Sequence, residues 1–338
     1  QLPSALCFTV ANASEHLTNV CFSAQGDVVG GAFDDASFRV WSQDGSPLGG
    51  FGHHKDNTYG PFTPKSHAGP VYGCGFTPDN RFAVTSSADS TVRLWSLASR
   101  TSMVVYRAHT YPVWDVAVAP LGYYFASASM DRTARLWSTD RVQPLRVLAG
   151  HLSDVECVTF HPNHNYLATG STDKTVRLWD VQTGHCLRVF AGHYGGVSAV
   201  AFSPNGRYLA SAGDDTLVNI WDLHMGKKLE TLVGHQDAVH SLAFSAESTL
   251  VASGGADHTV RLWDMHRLDG ATHKAPPVTV KSQHHNQFKR KTAAGLAPSR
   301  ALLKTFTTKR TPVLRVQFTP RNMLLVGGAY SAVHTTLT

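Results

Sequence analysis

Apolar residues along this chain alternate in short bursts rather than recurring at helical spacing. In 151–180, HLSDVECVTFHPNHNYLATGSTDKTVRLWD, Val155, Cys157 (or Val158) and Phe160 alternate as one strand, and Pro162–Asn165 turns the chain. Tyr166–Gly170 reads as a second strand, Ser171–Lys174 as a tight turn and Thr175–Trp179 as a third strand. Cys186–Phe190 supplies a fourth. Each run is short and bounded by Pro, Asn, Asp or Gly, as antiparallel hairpins require.

The same phrase recurs along the chain. Trp95, Trp137, Trp179, Trp221 and Trp263 stand 42 residues apart, and Trp41 precedes them by 54. Six residues before each tryptophan stands an aspartate: Asp35, Asp89, Asp131, Asp173, Asp215 and Asp257. Twenty-eight residues before the last five stands a histidine: His67, His109, His151, His193 and His235. A period near 42 predicts a propeller. One four-stranded sheet cannot bury both faces alone, so blades stack around an axis. Seven units of 42 residues leave 44 of the 338 for insertions. A seventh unit without its markers, TPVLRVQFTPRNMLLVGGAYS (311–331), aligns with 110–129, and ALCFTV (Ala5–Val10) is a strand ready to complete it. The expectation is an all-β fold in one domain over 1–338: a seven-bladed β-propeller whose N-terminal strand closes the seventh blade. Six blades and a flap is the alternative. Insertions are expected at 43–66, between blades one and two, and at 268–308, between blades six and seven.

Composition narrows this picture. The apolar fraction, 42%, and the charged fraction, 16%, suit an all-β core buried on both sheet faces. No apolar run approaches the roughly 18 residues of a membrane span. No secretory apolar segment is visible, and the chain begins at Gln1, as an excised domain would. Cys7, Cys21, Cys74, Cys157 and Cys186 are odd in number and lack CxxC spacing, reading as buried thiols of an intracellular protein. Nine basic residues and no acid fall within 270–310, although the whole chain carries only +6. FKRK (288–291) there reads as a nuclear-import patch or a phosphate contact in a solvated, disordered loop. Affinity for nucleic acid through it would be salt-sensitive and indifferent to sequence. No interleaved aromatics support sequence-specific readout.

Blades two to four also carry Ser87, Ser129 and Ser171 eight residues before their tryptophans. With His67 and Asp89, His109 and Asp131, or His151 and Asp173, these make Ser–His–Asp sets that resemble a hydrolytic triad. An active site occurs once, however, and this set recurs at one spacing. The expected role is a structural chain within the blade, from indole N–H to serine, serine to imidazole, and imidazole to aspartate. Gly213 and Gly255 replace the serine in blades five and six, predicting shorter networks there. His273, His284 and His285 lack the neighbours a metal site needs. No glycine loop suits a phosphate. No enzyme, cofactor, metal or small-molecule substrate is therefore expected.

Some segments are not generic to the repeat: VGGAFDDASFRVWS (29–42), HAGPVYGCGFTPD (67–79), TYPVWDVAVAPLGYYFASASMDRTARLWSTDRVQPLRVLAGHLSDV (110–155) and FTPRNMLLVGGAYS (318–331). They resemble the WD-repeat domain of subunit 5 of the general transcription factor TFIID, through essentially all of 1–331. YPVWD (111–115), GYYF (122–125) and QPLR…AGH (143–151) carry the likeness most specifically. The resemblance implies a nuclear scaffold without enzymatic activity, docking onto histone-fold subunits of TFIID, notably 6 and 9. In fungi it implies membership of SAGA as well. The family's N-terminal LisH-type region and helical domain have no counterpart in the chain. The contents of the 44–66 and 270–310 insertions do not match the family, so no function located there transfers. Two alternatives stay open: a peptide-reading adaptor of the histone-tail or ubiquitin-ligase type, and a weak nucleic-acid binder acting through the basic insertion.

Partner-binding residues are those that break the repeat. Tyr111, Asp154, Asp214 and Asp237 lie in loops or turns on one face, and Trp114 is the tryptophan outside the metre. Trp114, with Tyr72 at the matching position of blade two, reads either as an aromatic anchor or, the stronger reading, as packing between blades.

Overall fold

The computed structural model describes residues 5–6, 16–42, 67–268, 299–308 and 311–329. The 43–66 insertion, most of the basic insertion (with His273, His284, His285 and FKRK) and Cys7 lie outside the described residues.

The alternating runs form strands throughout. β1 (Ala5–Leu6) has two residues. Blade one is β2 (Leu17–Phe22), β3 (Val28–Phe33) and β4 (Phe38–Ser42). Blade two is β5 (Val71–Phe76), β6 (Phe82–Ser87), β7 (Thr91–Ser96) and β8 (Thr101–Arg107). Blade three is β9 (Val113–Val118), β10 (Tyr124–Ser129), β11 (Thr133–Ser138) and β12 (Arg141–Ala149). Blade four is β13 (Val155–Phe160), β14 (Tyr166–Ser171), β15 (Thr175–Asp180) and β16 (Cys186–Ala191). Blade five is β17 (Val197–Phe202), β18 (Tyr208–Gly213), β19 (Val218–Asp222) and β20 (Lys227–Leu232). Blade six is β21 (Val239–Phe244), β22 (Leu250–Gly255), β23 (Thr259–Asp264) and β24 (Leu302–Thr307). A hairpin of β25 (Val313–Phe318) and β26 (Leu324–Gly328) follows.

The first strand of each blade lines the axis, and neighbouring first strands pack around a ring that β25 closes against β2. Adjacent inner strands are not paired, so side chains join them. Asn19 Nδ2 donates to the Tyr72 carbonyl at 2.9 Å, and Ser198 Oγ to that of Val239 at 2.6 Å. Asp115 Oδ2 accepts from Val158 N at 3.0 Å, and Ser241 Oγ from Val316 N at 2.9 Å. The apolar core lies between blades rather than within them. Trp179 of blade four packs with Ala126, Ala134 and Leu136 of blade three, and Trp221 of blade five with Val176 and Phe190 of blade four. An indole buries about 150–250 Å², which at about 25 cal/mol per Å² contributes about 4–6 kcal/mol per blade interface.

The expected seven-bladed count is corrected. Six sheets are blades built from strands consecutive in the chain. The remaining place in the ring holds the β25–β26 hairpin, against which β1 pairs parallel, Ala5 opposite Leu324 and Leu6 opposite Leu325. An N-terminal strand closing a seventh blade would run antiparallel to a third strand. Here β1 lies beside the second strand, and 311–329 carries neither the aspartate nor the tryptophan that marks a third strand elsewhere. Among the described residues the result is six blades and a closing hairpin.

The insertion boundary is corrected as well. LLKTFT (302–307), inside the expected 268–308 insertion, is β24 and pairs with β23, Val260 opposite Phe306. The basic stretch therefore interrupts blade six between its third and fourth strands instead of linking blades. Cys21, Cys74 and Cys157 are buried free thiols, whereas Cys186, on the outermost strand of blade four, is exposed.

Candidate functional site

Five blades carry the same buried polar chain. In blade three, Trp137 Nε1–H donates to Ser127 Oγ at 2.8 Å, and that hydroxyl meets His109 Nε2 at 2.7 Å. His109 Nδ1–H donates to Asp131 Oδ2 at 2.7 Å. Because the serine oxygen already accepts from the indole, its proton is left to donate to Nε2. The same links join Trp95, Thr85, His67 and Asp89; Trp179, Thr169, His151 and Asp173; Trp221, Ser211, His193 and Asp215; and Trp263, Ser253, His235 and Asp257. Burial pushes the Asp131 and Asp173 carboxyls up, but hydrogen bonds from the histidine, a threonine and the backbone outweigh it and hold both at about 2. Burial lowers His109 and His151, against the opposing pull of their aspartates.

The hydroxyl is not the expected one. Ser87, Ser129 and Ser171 instead donate to the backbone carbonyls of Gly69, Pro112 and Ser153, at 2.9, 2.8 and 3.3 Å. Strand register explains this. Trp137 lies opposite Phe125. Ser127 is two residues further along, about 7 Å and within reach of an indole, whereas Ser129 is about 13 Å away. The signal was present in the sequence: a hydroxyl stands ten residues before each of these five tryptophans, where the position at eight becomes Gly213 and Gly255. The networks of blades five and six are consequently complete rather than shortened. Blade one has Gly31 at the hydroxyl position, and its Asp35 pairs with Arg39 at 3.1 Å.

These carboxylates also pin the loops leading into the blades. Asp173 Oδ2 accepts from Leu152 N at 3.0 Å, and Asp215 Oδ2 from Tyr194 N at 2.9 Å. The hydroxyls are buried beneath the indoles, so the arrangement presents no nucleophile to a substrate. Among the described residues no group of three or more histidines, cysteines or acids could hold a metal.

The residues that differ between blades converge at the mouth of the central channel. Every inner strand carries a β-bulge one residue in, at Thr18, Tyr72, Trp114, Glu156, Ser198, His240 and Leu314. A bulge re-aims one side chain and bends the strand locally. Most of these positions line a cavity of about 610 Å³. Tyr72 and Trp114 pack against each other, ring centroids 4.9 Å apart, and Trp114 remains half-buried at the channel. The two rings meet across the junction of blades two and three. Trp114 Nε1 is buried without a hydrogen-bond partner.

Beside it, Glu156 accepts from Thr172 Oγ1 at 3.1 Å. Burial raises its carboxyl, and the charges of Asp214 and Asp154 raise it further. Deeper in the channel, burial raises Asp115, partly offset by Arg315. Tyr111 and Asp214 are exposed and Asp154 is half-buried, all on this face. Asp237 is exposed too, and its carboxylate accepts from Ala238 N at 2.9 Å. Glu156 escaped sequence reasoning because its bulge breaks the strand alternation.

Sequence comparison places this geometry. The family described as WD domain, G-beta repeat (WD40) matches residues 61–96, 100–138, 142–180, 184–222 and 226–264. The chain belongs to the WD40 family. Five WD40 repeats are matched rather than seven, running through the region of blades two to six, where the His–Asp chain is complete. This WD40 domain is 44% identical to transcription initiation factor TFIID subunit 5 of Arabidopsis thaliana, over 31% of the chain and 18% of that protein. Against the Drosophila melanogaster TFIID subunit 5 it is 41% identical, over 32% of the chain and 18% of that protein. A Schizosaccharomyces pombe protein, named as a subunit of both the SAGA complex and the TFIID complex, is 42% identical over 31% of the chain and 16% of its own length. The matched region spans less than a fifth of each relative.

Proposed function

We propose that this WD40 domain is a non-catalytic interaction scaffold of the TFIID type in the nucleus, assembling with histone-fold subunits, 6 and 9 in particular, for initiation by RNA polymerase II. Membership of a SAGA-type complex belongs to the same proposal, supported by the double name of the fission-yeast relative. The observation that carries the reading is a division of labour. Chemistry repeated in five blades is buried and holds the blades together, while chemistry that differs between blades is gathered at one channel mouth. Similarity to TFIID subunit 5 in three organisms supports the assignment to that complex.

Affinity purification of the full-length protein from nuclear extract, with its partners identified by mass spectrometry, tests it. TFIID subunits, including a histone-fold pair, are expected in near-stoichiometric amounts. Recovery without any TFIID or SAGA subunit would overturn the proposal.

A further inference from the structure

The inner strands of blades one and two lie side by side at a fixed offset. Thr18 Oγ1 donates to the Val71 carbonyl and Asn19 Nδ2 to that of Tyr72, and in both bonds the partners are 53 residues apart. The same offset sets Cys21 opposite Cys74. Side chains two apart on a strand point to one side, so Cys21 follows Asn19 toward blade two. On β5, a Cβ at Gly73 would meet the Asp115 and Val116 backbone of blade three. Cys74, the next residue, therefore faces the other way, toward blade one. The two cysteines are buried in one cluster with Phe38 and Phe76, whose ring centroids lie 6.2 Å apart across the same junction.

The thiols meet there. Burial raises Cys74 well above the ordinary thiol range, and its hydrogen bond with Cys21 raises it further. A protonated thiol is a weak nucleophile, so the pair stays reduced until an oxidant reaches it. Both residues line the central cavity of about 610 Å³, which gives a molecule as small as hydrogen peroxide a path to them. Cys157 supplies the contrast. It lines the same cavity, but its Sγ donates to the Val197 carbonyl of blade five at 3.7 Å rather than to a thiol.

Blade one lacks the polar chain of its neighbours: Gly31 stands at the hydroxyl position, and β2 borders the closing seam. We infer that Cys21 and Cys74 form a reversible disulfide that staples blade one to blade two, with hydrogen peroxide as the oxidant. One sulfur, as thiolate, breaks the peroxide O–O bond, becoming a sulfenic acid and releasing hydroxide, which takes up that thiol's proton as water. The second sulfur attacks the sulfenic sulfur, and its proton leaves with the hydroxyl as a second water. Two thiols are oxidised and one peroxide is reduced. Sulfurs already in contact need little movement to reach the bond length of about 2.05 Å.

The test treats the reduced full-length protein with hydrogen peroxide, blocks the remaining thiols and maps peptides without reduction. A peptide pair joining Cys21 to Cys74 is expected, lost after dithiothreitol, while Cys157 stays a free thiol. Hydrogen exchange in β2 and β3 should slow at least about tenfold on oxidation. Cys157→Ala should preserve both results and Cys21→Ala should abolish both. The unmodified protein supplies the first two readouts whether or not Cys21→Ala folds. Oxidation confined to Cys186, a bridge from Cys21 or Cys74 to another cysteine, or exchange in β2 and β3 that is unchanged or faster in the bridged protein would overturn the inference.

Discussion

Two serines of blade three, two residues apart and both fully buried, should respond very differently to loss of the hydroxyl. Ser127→Ala leaves two buried groups without partners, the Trp137 indole N–H and His109 Nε2, which meet it at 2.8 and 2.7 Å. Each orphaned group costs about 1–3 kcal/mol, so destabilisation of about 4 kcal/mol is expected, reduced where the imidazole re-protonates. Ser129→Ala removes a bond to the Pro112 carbonyl, which keeps Met130 N at 3.0 Å, and a longer one of 3.2 Å accepted from Asp131 N in the half-buried turn. The loss there is about 1–2 kcal/mol. Ser127→Thr is the internal control, because Thr85 and Thr169 already fill this role in blades two and four, and it should stay within about 1 kcal/mol of the parent. Urea unfolding gives the differences directly. At roughly 2–4 °C per kcal/mol for a chain of this size, thermal melts should separate the two alanine variants by about 4 °C or more. If Ser129→Ala proves as damaging as Ser127→Ala, the indole–hydroxyl–imidazole chain does not carry the stability assigned to it.

Other consequences can be checked in the same preparations. Trp137→Ala, at a fully buried indole, should cost about 3–5 kcal/mol, and Trp41→Ala, half-buried in a blade without the histidine chain, clearly less by the same denaturation assay. Acid should destabilise the ring in two stages. His109 and His151 are lowered below 6.5 in the fold, so their contribution is complete above that pH and is lost as pH falls through the folded values. Asp131 and Asp173, lowered from 3.8 to about 2, lose theirs between about pH 4 and 2. Stability that rises on acidification through either window would contradict this sign. Leu152→Asp, at a 78% exposed position, should leave the unfolding free energy within about 0.5 kcal/mol of the parent by the same denaturation assay.

The fold was legible because the markers are locked in phase: tryptophan, aspartate and histidine at one period leave little freedom except a stacked blade. The blade count failed where the markers run out. In 311–329 the alternation that makes β25 and β26 was visible, but nothing in a two-residue pairing partner announces whether it will run parallel or antiparallel. β24 was hidden by its surroundings, since LLKTFT alternates well but follows a long basic, alanine- and proline-containing stretch. The hydroxyl of the buried chain was misassigned by two residues because a motif read along the sequence ignores cross-strand register, which decides what an indole can touch. Trp114 and Tyr72 were visible as off-beat residues. Glu156 was not, because its significance lies in a bulge that only the pairing of β13 with β14 reveals.

The closing seam has a kinetic meaning. Gln317 Nε2 donates to the Ser23 carbonyl at 3.3 Å across 294 residues of chain, and the apolar contact there joins Val20 and Phe22 to Leu325. Closing a loop of that length costs about 5 kcal/mol in chain entropy, against about 2 kcal/mol for a ten-residue hairpin. The blades can zip up one upon another as the chain grows, but this seam has to wait for the last hairpin. It should therefore be the final step of folding and the first place where the finished ring breathes, with amide hydrogens of β2 and β25 exchanging ahead of those in β10 and β14.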